Sequence, residues 1–185
     1  IQESRRLWKR EGTAYSFSEL EELALQAEPL RSFIDPDAPE FTPPGDIPGR
    51  VREFCRRTGQ PVPETVGQVV RCLYESLALK YRFALEQLGR ATGQKFSCLH
   101  IIGGGTQAKL LCRMTADSIG LPVITGPVEA TALGNILIQL VALGELKNLD
   151  EGRALIARTE PVQRYEPEQT ALWNRAYETY QTILN

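Results

Sequence analysis

Along most of the chain the apolar residues recur with the 3.6-residue period of a helix, and only two stretches read as strands. The longest helical pattern covers residues 66–90. Val66, Val70, Leu73, Leu77, Ala84 and Leu88 form its stripe, with Val69, Tyr74, Tyr81 and Leu85 on the flanks. Thr65 and Gln68 stand at capping-box spacing before it. A helix of that length is about 37 Å and is predicted to cross the face of a sheet. Residues 127–143 are apolar on nearly all sides, through Ala130, Leu133, Ile136, Leu137, Leu140 and Val141, which predicts a buried helix closed at Leu143 and Gly144.

Shorter helices are predicted around these two. Residues 1–11 carry Leu7 and Trp8 as apolar contacts and stop at Gly12. A second helix, through about Ala27, is capped by Ser16 or Ser18, and Ser18 with Glu21 or Glu22 has the look of a capping box. Residues 47–57 close at Thr58 and Gly59, and residues 148–157 open on Asn148 or Asp150. The last helix, residues 168–184, repeats Leu172, Trp173, Ala176, Tyr177, Tyr180 and Ile183 at helical spacing.

The two strand-like runs are residues 96–102 and 121–125, short and bounded by turn residues. About a dozen helical residues, beginning near Thr106, separate them, which argues for parallel pairing. Residues 29–49 hold six of the twelve prolines: Pro29, Pro36, Pro39, Pro43, Pro44 and Pro48. Proline at that frequency forbids a continuous helix or central strand. Phe33, Ile34, Phe41 and Ile47 give the stretch apolar anchors, so it reads as an ordered excursion rather than a linker.

Composition narrows the classes. The 185 residues suit one domain, and 42% apolar with 24% charged residues is globular. A net charge of -2 gives no electrostatic reason to expect nucleic acid or an anionic membrane as partner. The four cysteines form no CxxC pair and there is one histidine, which argues against a structural zinc site. Reduced, mostly buried thiols in a cytoplasmic protein are the expectation. No signal peptide or membrane span is read, and the chain opens mid-pattern at Ile1, as a piece of a longer protein would.

The candidate chemistry lies between the strands. Gly103, Gly104 and Gly105 follow the first of them, and a run of glycine lets a partner approach the backbone closely. A helix starting there would aim free amides at an anion. No GKS or GKT follows, so this is no P-loop, and Gly105-Thr106-Gln107-Ala108 does not complete GxGxxG. After the second strand, Gly126 precedes Pro127 at the predicted first helical position. That places Glu129 in the first turn, as a cap or as a brace for the glycine loop; Thr131 fits either job, and Gly134 suggests close helix packing. No general base is assigned. Asp117 reads as a surface charge or local acceptor, Asp35 and Asp37 have no visible partner, His100 reads as a core residue of its strand, and Cys112 lacks a nearby histidine.

The segment HIIGGGTQAKLLCRMTADSIGLPVITGPVEATALGNILIQLVALGEL resembles the C-terminal domain of the FGGY carbohydrate kinases. So do IQESRRLWKREG, FIDPDAPEFTPPGDIPGRVREFCRRTGQ and VVRCLYESLALKYRFALEQL, and with GPVEATALGN they point to the rhamnulokinase branch. The resemblance implies an α/β fold of the actin-like ATPase (ribonuclease H-like) class, a mixed sheet flanked by helices, incomplete at its N-terminus. It implies that residues 1–185 are the C-terminal nucleotide-binding domain of a two-domain kinase. The whole enzyme would use ATP and Mg2+ to phosphorylate the 1-hydroxyl of L-rhamnulose, with the N-terminal domain as partner.

Carried over by position, Gly103, Gly104 and Gly105 match the motif whose backbone lies against the α-phosphate and ribose, and Gln2 matches a glutamine near the nucleotide. The family often has asparagine where this chain has Ala108, which shifts base recognition toward Thr106, Gln107 or main chain. Glu129, Ala130, Thr131, Leu133 and Gly134 match a second motif that faces the glycine loop. The family's phosphate loop, catalytic aspartate, adjacent threonine and first hairpin of this domain are not in the chain, so the fragment alone is expected to be inert. Two other readings stay open: a non-catalytic nucleotide-sensing domain of the same fold, and a kinase for another ketose or polyol.

Overall fold

The computed structural model describes residues 1–184. Eight helices and three strands follow in the order α1 (Gln2–Arg10), α2 (Phe17–Gln26), α3 (Ile47–Arg57), α4 (Val66–Thr92), β1 (Leu99–Ile101), α5 (Lys109–Ile119), β2 (Val123–Thr125), α6 (Ala130–Ala142), α7 (Leu149–Thr159), β3 (Arg164–Tyr165) and α8 (Thr170–Gln181). The sheet is mixed. β1 pairs parallel with β2, Leu99 opposite Val123 and Ile101 opposite Thr125, and β2 pairs antiparallel with β3. The two parallel strands match the sequence reading; β3 is too short to leave a pattern.

α4 has 27 residues, about 40 Å, and opens on the Thr65–Gln68 capping box. Its first half is buried on almost every side, Glu75 and Ser76 included, whereas Ala84 and Leu88 of the predicted stripe are exposed. Its main partners are α2 and α5, not the sheet face. At the α2 crossing the backbones nearly touch: a Cβ on Gly67 would lie 2.3 Å from the Leu23 carbonyl oxygen. α2 itself is capped by Ser16 with Glu19, not by Ser18.

α5 joins two cores. Leu110, Leu111 and Met114 belong to a helical core with Leu20, Val51, Val70, Leu79 and Tyr180, while Cys112 and Ala116 pack with Ile101 and Val123 of the sheet. A helix shared between two layers is buried nearly all round. Asp117, read from sequence as a surface charge or local acceptor, is 6% exposed. It accepts the amides of Glu168 at 2.7 Å and Gln169 at 3.2 Å, holding the approach to α8.

Residues 29–49 run as an irregular strap held at intervals. Phe33 and Ile34 are buried, and Phe33 meets the Tyr180 ring edge-on. Gln60 brackets Phe33, accepting its amide and donating to its carbonyl, and Lys80 pairs with Asp35 at 2.8 Å and Asp37 at 2.9 Å. Backbone amides that proline leaves without ladder partners are thus satisfied by side chains.

α6 overturns its sequence reading: none of its residues is buried. Ile136 and Ile138 are more than half exposed, and the principal contact is with α7, where Leu137 lies against Gly152. Gly134, expected to permit close packing, has open space where a Cβ would stand.

Candidate functional site

The site is built on two turns at the C-terminal ends of the parallel strands. Ile102 is extended, and Gly103 then takes φ +74, a left-handed conformation that glycine adopts without strain. Residues Gly103–Gln107 form a 3-10 turn, closed by the Thr106 hydroxyl donating to the Gly103 carbonyl at 2.8 Å. α5 begins only at Lys109, not near Thr106, because the 3-10 turn consumes the residues between. Cys112 donates its thiol to the Gly105 carbonyl at 3.7 Å, and burial pushes that thiol up, which keeps it a donor.

The second turn is tied to the first through main chain. Gly126 donates to the Ile101 carbonyl at 2.8 Å and Gly103 donates to the Pro127 carbonyl at 3.0 Å. A Cβ at Gly126 would meet the Ile102 side chain at 2.9 Å, so any larger residue there would have to push Ile102 aside. Pro127 does not open the helix. α6 starts at Ala130 with Glu129 as its N-cap, and Glu129 makes no side-chain cap bond. The brace for the glycine turn is therefore the Pro127 carbonyl.

The three glycines differ in what demands them. Gly103 needs its positive φ, and Gly105 is crowded by Ile101, whose methyl would lie 3.3 Å from a Cβ. Gly104 has neither constraint: its φ is not positive and nothing lies within 4 Å of a Cβ position. Its surface faces open space.

Between the two turns and the segment after α7 lies a cavity of about 220 Å³. Thr106, Gln107 and Lys109 line one wall, Thr125 to Val128 another, and Glu160, Pro161 and Gln163 the third. Thr106 is buried and Gln107 exposed. Gln2 does not share this cavity. It lies on α1, accepts from Arg5 at 3.3 Å, and lines two other depressions, one basic and one apolar.

Sequence reasoning missed Glu21 of α2. Burial raises its carboxyl, while the Leu110 amide and Lys109 at the start of α5 oppose that shift. A carboxylate facing that helix start occupies amide charge that an anionic ligand would otherwise use. Its signal in the sequence was the capping-box spacing assigned to Ser18, a role the structure gives to Ser16. His100 is exposed and sits 3.6 Å from the Cys98 sulfur, not in the core, because the inward face of β1 is the one carrying Leu99 and Ile101. Among the described residues, no group of three or more Asp, Glu, His or Cys side chains could hold a metal ion. Among the described residues, no helix is long and apolar enough to cross a membrane.

Solved structures share this architecture. The ligand-bound xylulose kinase from Lactobacillus acidophilus superposes with a TM-score of 0.65 at 16% identity, covering 95% of this chain and 36% of that one. Plasmodium falciparum glycerol kinase with ADP gives 0.61 at 20% identity, covering 97% and 36%. In sequence, the rhamnulokinase of Bacteroides thetaiotaomicron is 48% identical over 162 residues, 88% of this chain and 33% of its own length. That of Enterococcus faecalis is 41% identical over 165 residues, 87% and 33%. The chain thus spans about a third of the length of these relatives. The fold is that of the actin-like sugar kinases. Residues 1–143 match the C-terminal domain of the FGGY family of carbohydrate kinases, and the chain belongs to that family.

Proposed function

We propose that this chain supplies much of the ATP site of a sugar kinase that phosphorylates L-rhamnulose to L-rhamnulose 1-phosphate. The observation that carries the nucleotide part is Gly104. Neither its own backbone nor any neighbour calls for glycine, so the missing side chain leaves room for something from outside. In this reading the α-phosphate and ribose lie against Gly103, Gly104 and Gly105, with Thr106 and Gln107 toward the base, while Gln2 on α1 lines other depressions and takes no part in this cavity. The sugar assignment rests on the likeness to proteins called rhamnulokinase.

The described residues offer no fitting ligand set for Mg2+, and we assign none of its coordination to them. The attacking hydroxyl's base, the metal ligands and the sugar contacts are proposed to lie in an N-terminal partner domain, and the cytoplasm is the proposed compartment. What this chain does in the reaction is to position: a rigid, tied pair of turns holds the nucleotide where its terminal phosphoryl meets the sugar.

The test is Gly104→Ala in the full-length protein. Nucleotide affinity is expected to fall about tenfold, since one methyl overfills the contact surface, with an unchanged unfolding midpoint. Equal affinity in the two proteins would remove the glycine turn from the site.

A further inference from the structure

The 220 Å³ cavity beside the glycine turn has one wall that the family match does not include. Glu160, Pro161 and Gln163 lie beyond residue 143, where that match ends. The segment is fixed in place rather than draped over the cavity. Gln163 donates its amide to the Thr125 hydroxyl at 2.9 Å and accepts the Thr125 amide at 2.8 Å, and the Gln163 side-chain oxygen accepts from the Tyr165 hydroxyl at 2.7 Å. Glu160, a half-buried residue, caps the end of α7 through its backbone, donating to Ile156, and its carboxylate has no hydrogen bond or ion pair among the described residues.

The chemistry of this pocket selects an occupant. At 220 Å³ it is smaller than the roughly 300–1,000 Å³ of sites for whole drug-sized ligands, so on the nucleotide reading it has room for one part of the nucleotide and not the whole. A carboxylate in the wall repels phosphate oxygens and takes ligands that donate hydrogen bonds. Lys109, the cation on the opposite wall, also faces Glu21, which offsets its charge. The phosphates therefore belong on the open side of Gly104 and a donor-bearing base belongs here. Ala108, between Gln107 and Lys109, brings no polar side-chain atom, which leaves the reading of the base to the third wall.

We propose that Glu160 is the base-reading residue of the nucleotide site, its carboxylate accepting the exocyclic amine of an adenine seated between Gln107 and Gln163. A 6-oxo purine would set an acceptor against the carboxylate and be rejected. This inference rests on the nucleotide reading above.

The experiment compares ATP with ITP as phosphoryl donor for the full-length protein and for its Glu160→Gln variant, with KM and kcat measured separately. Wild type is expected to favour ATP about tenfold or more in kcat/KM, the discrimination expected of a charged hydrogen-bonding partner. In Glu160→Gln, whose amide can present its NH2 group to a 6-oxo purine, the preference should shrink about tenfold, through KM. A preference unchanged in a variant that keeps the wild-type unfolding midpoint overturns the inference and leaves the kinase reading standing. So does equal use of ATP and ITP by wild type. A titration of wild type with adenosine against inosine needs no variant: tighter adenosine supports the inference and equal binding overturns it. Turnover with no nucleotide at all overturns the kinase reading and this inference with it.

Discussion

Both carboxylate oxygens of Glu75 accept the Leu30 amide, at 3.0 and 2.9 Å, although Glu75 is only 1% exposed. Leu30 has φ +54, a conformation a β-carbon disfavours, at the start of the proline-rich strap. Arg71 completes the arrangement, donating to Glu75 at 2.7 Å and to the carbonyls of Ala24 and Ala27, so one ion pair on α4 fixes the exit of α2. Burial raises the Glu75 carboxyl, and Arg71 and the Leu30 amide act against it. Removing one member of such a pair strands a buried charge. Glu75→Ala is expected to cost about 3–5 kcal/mol in urea denaturation, and Glu75→Gln less, since it keeps an acceptor for Leu30.

Gly67 sets the approach of α2 to α4. A methyl there would stand 2.3 Å from a backbone carbonyl, which no rotamer change relieves. Gly67→Ala is expected to lose about 1–3 kcal/mol, despite alanine's better helix propensity. Thermal denaturation of the variant checks this, and Gly134→Ala, on an open helix face, is the control expected to stay level or gain.

Three tyrosines of the helical core report on pH. Burial is the main cause of the raised values, about 12 for Tyr74 and about 12 for Tyr177, whose hydroxyl also donates to Glu86; Tyr180 moves in the same direction. In the unfolded chain tyrosine titrates near 10. A raised folded value means the native state holds its protons longer, so this stability is complete below about pH 10 and is lost as pH rises toward 12. Absorbance at 295 nm should show these tyrosines ionising late and together with loss of helical circular dichroism. Early ionisation with the fold intact would contradict their burial.

The backbone of this fold was readable where its signals are local. Thr65 with Gln68 announces α4, and two β-branched runs divided by a helix announce the parallel pair. The readings that failed depend on distant partners. Asp117 meets amides 51 and 52 positions away, and Lys80 supplies the partner that Asp35 and Asp37 lack nearby. α6 was read as buried from its composition, yet burial is set by what packs against a helix, and here α7 touches one face. At the site, the glycine run marked the place, while the Pro127 tie and the third wall at Glu160 are tertiary facts that no residue pattern encodes.

Substitutions in the glycine turn should separate structure from binding. Gly103→Ala forces a β-carbon into a left-handed position, at about 1–2 kcal/mol. Gly104→Ala should leave the free energy of unfolding within about 0.5 kcal/mol of wild type. Parallel calorimetry and nucleotide titration of the two variants would show opposite profiles if the turn is both a fold element and a binding surface.

Sugar phosphorylation is read directly from coupled ADP release by the full-length protein with Mg-ATP and L-rhamnulose, L-fuculose, D-xylulose or glycerol as acceptor. Release with L-rhamnulose is expected far above that with the other three. A folded protein that binds ATP yet releases ADP with none of them would contradict sugar phosphorylation and favour a nucleotide-sensing role for the same fold.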